Sequence, residues 1–115
     1  MKKTRRFDFY LKDTITSMER IASYIEGHDF ESFQKNFMVA DAVIRNFEII
    51  GEAAKSVPLE IKNKYPLVPW KKMYQLRNIV SHEYFDVDHE TIWKIATTQL
   101  PLNADDLRKV LAMEI

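Results

Sequence analysis

The chain contains no cysteine. Disulfides, thiolate metal sites and cysteine nucleophiles are therefore excluded, and the composition fits a reducing, cytoplasmic setting. With only two glycines and four prolines in 115 residues, the chain has little of the punctuation that a sheet protein needs. It shows no period-2 strand pattern and no Asn-Gly hairpin signal. No apolar run approaches the roughly 20 residues of a membrane span. The basic start, Met-Lys-Lys-Thr-Arg-Arg, resembles the opening of a secretory signal, but Asp8, Lys12 and Asp13 interrupt at once, so a non-membrane cytoplasmic chain is expected. Net charge is also missing, at zero from 17 basic and 17 acidic residues. Taken alone, that balance counts against a nucleic-acid binder.

The charge is nevertheless uneven. Basic residues exceed acidic ones over 1–28 and 58–87, and the reverse holds over 29–57 and 88–115. The apolar content of 46% is that of an ordinary globular chain, and 115 residues suffice for one domain with one core.

Helical spacing dominates. Leu11, Ile15, Met18, Ala22 and Ile25 step by four and three, which predicts a first helix over 7–26 ended by Gly27 and His28. Asp29 is placed to cap a long second helix over 30–56, on which Phe30, Phe33, Phe37, Ala40, Ile44, Phe47, Gly51 and Ala54 form one stripe. Gly51 interrupts that stripe, and a glycine inside a helix costs about 1 kcal/mol relative to alanine. A close approach by another helix is the expected reason. Pro58 opens a short turn through Lys64, Pro69 a third helix over 69–85, and Asp88 a fourth over 89–99. Pro101 marks a kink or break before a last helix over 102–113. The expected architecture is an all-α, mostly antiparallel bundle of four to five helices in a single domain.

At about 100° per residue, Met73, Leu76, Ile79 and Val80 share one face of the third helix. Arg77, Asn78, Ser81, His82 and Tyr84 gather nearly opposite, and Glu83 falls among the apolar positions with no assignable role. Histidine titrates near neutrality and can take or give a proton. Arginine offers a planar fork of donors for phosphate oxygens. Together they are a minimal set for cleaving RNA without a metal: the base removes the 2′-OH proton, and the cation balances charge on phosphorus. Asn78 could hold the imidazole tautomer or a phosphate oxygen. One histidine supplies only a base, so the leaving-group acid must come from elsewhere. The same face also fits an ordinary solvated surface.

On the second helix Arg45, Glu48 and Glu52 recur at three and four residues, as cleft-lining side chains or a solvated charge ladder. His28 and His89 read as caps or exposed residues rather than metal ligands, and no cluster has metal-ligand spacing. Neither cofactor nor metal is expected. The tryptophans and phenylalanines fit core or dimer packing first, and base stacking second.

Pro69-Trp70 followed by Leu76-Arg77-Asn78-Ile79-Val80-Ser81-His82-Glu83-Tyr84-Phe85 resembles the signature of the HEPN superfamily, in its HepT-like branch. Asn46-Phe47-Glu48-Ile49-Ile50-Gly51-Glu52-Ala53-Ala54-Lys55 resembles that branch's second block. Ile92-Trp93-Lys94-Ile95 with Leu100-Pro101 resembles the third. The blocks stand in the right order and cover most of 40–101. The resemblance implies an α-helical homodimer that brings two Arg-to-His motifs to one cleft, and a metal-independent endoribonuclease toxin acting on RNA. It also implies a cognate minimal nucleotidyltransferase antitoxin. Carried over residue by residue, it makes Arg77, Asn78 and His82 catalytic and Tyr84 the tyrosine that the antitoxin modifies with adenylate. A second His82 across the cleft would supply the missing acid. The alternative is a non-catalytic module of the same fold that binds a nucleotide or its partner.

Overall fold

The computed structural model describes residues 2–81 and 88–114. In chain order the helices are α1 (Lys2–Ile25), α2 (Phe30–Lys35), α3 (Phe37–Ser56), α4 (Leu59–Lys64), α5 (Trp70–Ser81), α6 (His89–Lys94) and α7 (Leu100–Glu114). A π-helical turn, Ile95–Gln99, joins the last two. No strand occurs among the described residues, and no described helix is long and apolar enough to cross a membrane.

The fold is built around α3, which packs against α1 on one side and α5 on the other; α1 in turn packs on α7. Leu11, Ile21, Phe33, Val43, Phe47, Ile50, Met73 and Ile92 are fully buried in the shared core. Trp70 is also buried, and its indole N–H donates to the Tyr65 carbonyl at 2.9 Å. Trp93 and His89, on α6, meet the Phe33 ring of α2 at centroid distances of 5.1 and 6.1 Å.

Local chemistry accounts for most boundaries. Gly27 adopts φ +81 and ends α1, a backbone conformation that side chains with a Cβ resist. The Asp29 carboxylate accepts from the Ser32 N–H at 2.8 Å, and the Ser32 hydroxyl accepts from the Asp29 N–H at 3.1 Å, closing a capping box. Asp88 caps α6 by accepting from the Glu90 and Thr91 N–H groups at 3.0 and 3.2 Å.

Two expectations need correction. The predicted second helix is two helices, broken at Asn36, whose φ −95 and ψ 93 are extended. The Asn36 N–H closes α2 on the carbonyls of Ser32 and Phe33, while its side-chain oxygen opens α3 by accepting from the Val39 N–H at 3.1 Å. Asparagine is among the best N-caps, and a single side chain thus offsets what the break costs. The apolar stripe is consequently not continuous: Phe37 falls at the start of α3 and is 75% exposed, and the buried face restarts with Ala40, Val43, Phe47, Ile50 and Ala54. At the other end, Pro101 lies inside the first turn of α7 rather than before it. The preceding turn widens so that the Leu100 N–H donates to the Ile95 carbonyl. The hydroxyls of Thr97 and Thr98 donate to the carbonyls of Trp93 and Lys94 at 2.8 and 2.6 Å. A π turn beside a proline relieves the clash of its ring with the preceding turn.

The far end of α7 is held by Glu114, which accepts from the Tyr65 hydroxyl and pairs with Lys64 at 2.7 Å. Its carboxyl is held below the ordinary glutamate range by the Lys64 hydrogen bond first and the Tyr65 hydroxyl second. A folded-state pKa below the unfolded one means stability that is present above the unfolded value and lost as pH falls through the folded one. The melting temperature of the wild type should therefore exceed that of Glu114→Gln at neutral pH. The difference should close as pH drops below about 4.3. A gap independent of pH between 7 and 3 would rule this clasp out.

Candidate active site

The α3–α5 seam is where the chemistry-bearing residues meet. Lys55 of α3 stands 6.0 Å from the Tyr74 ring centroid, while the preceding turn of α3 meets the following turn of α5 at Arg77, so the two helices run antiparallel. At Gly51 the approach is close. A Cβ built there would lie 2.8 Å from the Arg77 Cβ, 3.0 Å from the Arg77 nitrogen and 3.0 Å from the Tyr74 carbonyl oxygen. The missing side chain on the buried face of α3 thus has its reason, and the residue it admits is Arg77.

That placement refines the helical wheel. Met73 and Leu76 are buried as expected and Ile79 is half-buried. Arg77, assigned to the face opposite the core, lies instead half-buried at the seam with α3. Its Nε is 3.1 Å from a Glu52 oxygen, and the two side chains are 37% and 59% exposed. Asn78, the next residue, is exposed and does not line the adjoining groove. Ser81 ends α5; its side chain, and the expectations for His82, Glu83 and Tyr84, lie outside the described residues.

Over α3, between α1 and Arg77 of α5, lies an open groove of about 560 Å³ whose lining includes Ile49 and Ala53. Arg45, Glu48, Glu52 and Arg77 all line it, so the three cleft candidates of the second helix share a wall with the motif arginine. Among the described residues, no carboxylate lies within ion-pair distance of Arg45. Tyr10 and Asp13 complete the groove from α1. Sequence reasoning missed both, although they sit at i, i+3 beside the Leu11 stripe, where a helix flank borders its core face. The groove is therefore of mixed charge, two arginines facing three carboxylates, rather than simply basic. Guanidinium groups in such a setting can take phosphate oxygens, and an aromatic ring at the rim can stack a base. Among the described residues, no group of three His, Asp or Glu could hold a metal ion.

Close to this groove, in the block Asn46–Lys55, Asn46 is buried. Its amide donates to the Ala42 carbonyl at 2.9 Å, and its oxygen has no hydrogen-bond partner among the described residues.

Comparison with known proteins gives a consistent family. A protein of Methanocaldococcus jannaschii named "Putative RNase" is 36% identical over 102 residues, covering 89% of this chain and 84% of its own length. Another of that name, from Caldanaerobacter subterraneus subsp. tengcongensis, is 33% identical over 105 residues, covering 91% and 94%. A "Probable ribonuclease HepT" of Thermococcus cleftensis is 37% identical over 92 residues, covering 80% and 84%. No solved structure matches. The family described as Ribonuclease HepT-like matches residues 14–112, a span that runs from α1 to the last turns of α7 and takes in the groove except for Tyr10 and Asp13. The chain belongs to the HepT-like ribonuclease family, within the HEPN superfamily.

Proposed function

We propose that this chain is a toxin-type endoribonuclease that cleaves RNA without a metal, at a cleft formed between two copies. The observation that carries the reading is the position of Arg77. The one motif cation is seated against α3, at the edge of a groove that also holds Arg45 and is large enough for a nucleotide. The motif Arg77-Asn78-x3-His82 and the family membership support it further.

In this reading His82 removes the proton from a ribose 2′-OH. The oxygen attacks the adjacent phosphorus, the bond from phosphorus to the 5′ oxygen breaks, and the leaving oxygen takes a proton from His82 of the second copy. The products are a 2′,3′-cyclic phosphate and a 5′-hydroxyl end. Arg77 balances charge on the phosphoryl oxygens, and Asn78 positions the imidazole or the phosphate. Control comes from a nucleotidyltransferase antitoxin that transfers adenylate from ATP to Tyr84: the deprotonated phenol oxygen bonds to the α-phosphorus, the α–β anhydride bond breaks and pyrophosphate leaves. The added phosphate and bulk, seven residues along the motif from Arg77, would exclude RNA by charge and occupancy.

The test is single-stranded RNA incubated with purified protein in EDTA, wild type beside His82→Ala. The wild type should release cyclic-phosphate ends, and the variant should lose at least about 100-fold in rate, as expected for removal of a general base. Equal cleavage by the two would remove the assignment of His82. No cleavage by either, with RNA or nucleotide still bound, would favour a non-catalytic binding module.

A further inference from the structure

Gly51 and Glu52 are consecutive, and both act on one arginine. The absent side chain at Gly51 lets the Arg77 backbone sit directly on α3. The carboxylate of the next residue then meets Arg77 at Nε, 3.1 Å away. A guanidinium carries five N–H donors in a rigid plane. An anionic partner closest to Nε leaves both outer nitrogens for an incoming anion. Among the described residues, neither outer nitrogen has a hydrogen-bond partner, and the side chain lines the groove. Both members of the pair reach solvent, so its contribution to folding is small. Its consequence is orientation.

We propose that Glu52 is a positioning residue for Arg77. It holds the guanidinium plane so that the outer edge faces the groove shared with Arg45. It also lowers the positive potential of that groove, which weakens the hold on RNA while improving the geometry at phosphorus. The inference rests on the reading of Arg77 as the phosphate-stabilising group, and it assigns to α3 a part in the chemistry that the α5 motif alone does not contain.

The experiment compares wild type, Glu52→Ala, Glu52→Gln, Arg77→Ala and the double variant Arg77→Ala/Glu52→Ala on single-stranded RNA in EDTA. Glu52→Ala should lower kcat by about 10- to 100-fold, the scale of a sub-ångström to ångström misplacement, with little change in melting temperature. Glu52→Gln keeps an acceptor oxygen, so it should recover most of that kcat; with one negative charge fewer in the groove, it should also lower KM. In the Arg77→Ala background the second substitution should have no further effect on kcat. Equal losses in the alanine and glutamine variants, or the same factor with Arg77 already removed, would overturn the assignment. A readout without catalysis separates this from the nuclease reading. The Arg77 Nε–H resonance, identified by its absence in Arg77→Lys, should move in Glu52→Ala without RNA present. An unmoved resonance overturns the pairing; a moved one in a wild type that cuts no RNA overturns the nuclease reading and with it the proposed role of the pair.

Discussion

Gly51→Val should cost about 3 kcal/mol or more of stability and, on the proposed role of Arg77, abolish RNA cleavage at the same time. The arithmetic for the smaller change, Gly51→Ala, shows why. Alanine in a helix interior is favoured over glycine by about 1 kcal/mol, so on an exposed face the substitution would stabilise. Here its Cβ would meet the Arg77 Cβ at 2.8 Å and two backbone atoms at 3.0 Å. Backbone cannot rotate aside as a flexible side-chain tip can. Relief requires α5 to shift away from α3, at an overpacking cost of about 1–3 kcal/mol. The net for alanine is a loss of about 1 kcal/mol. Valine adds two further carbons and gives back part of the propensity gain. Urea denaturation of the two variants measures the stability terms, and single-turnover RNA cleavage measures the displacement of Arg77. An alanine variant more stable than wild type would show that α5 gives way freely at this contact.

Phe47→Ala is the second large effect, expected at about 3–5 kcal/mol. Phe47 has no exposed surface and lies on α3, the helix enclosed between α1 and α5. Removing its ring leaves a cavity lined by elements that are themselves anchored, so collapse around it is limited. Domains of this size have roughly 5–15 kcal/mol in total, so the variant would stand near its unfolding threshold. Chemical denaturation at constant m-value checks the magnitude; a loss below about 1.5 kcal/mol would mean that the core relaxes around the void.

Much of this architecture is legible in the sequence where one residue type has one physical use. Asp29 and Asp88 read as caps, Gly27 as a helix end, and Gly51 as a site of close approach, and each does that in the structure. The break at Asn36 was not legible from apolar spacing, because Phe30, Phe33 and Phe37 keep the helical interval across it while a side-chain hydrogen bond decides the outcome. Likewise the wheel separates Arg77 from the core face of its own helix, yet cannot say that α3 closes over the adjacent flank. That depends on where a residue 26 positions earlier lacks a side chain. Tyr10 and Asp13 were illegible for a similar reason, since they belong to the groove only through the packing of α1 on α3. Local chemistry is written in neighbours, whereas the groove is written in pairs of distant helices.

The π turn at Ile95–Gln99 carries one more consequence. It amounts to one residue in excess of a regular helix, inserted between α6 and α7. Each residue advances a helix by about 100° and 1.5 Å. Drawing the same residues into a regular α-helix would turn every later side chain by that angle, whereas excising Thr98 would restore a continuous ladder and keep their phase. Leu100, Ala104, Leu107 and Val110 now face the interior together; with the turn regularised and no residue removed, Leu100 and Ala104 would be swung off that face. The irregular turn is thus a phase setter: it absorbs one residue, so that the buried faces before and after it stay aligned.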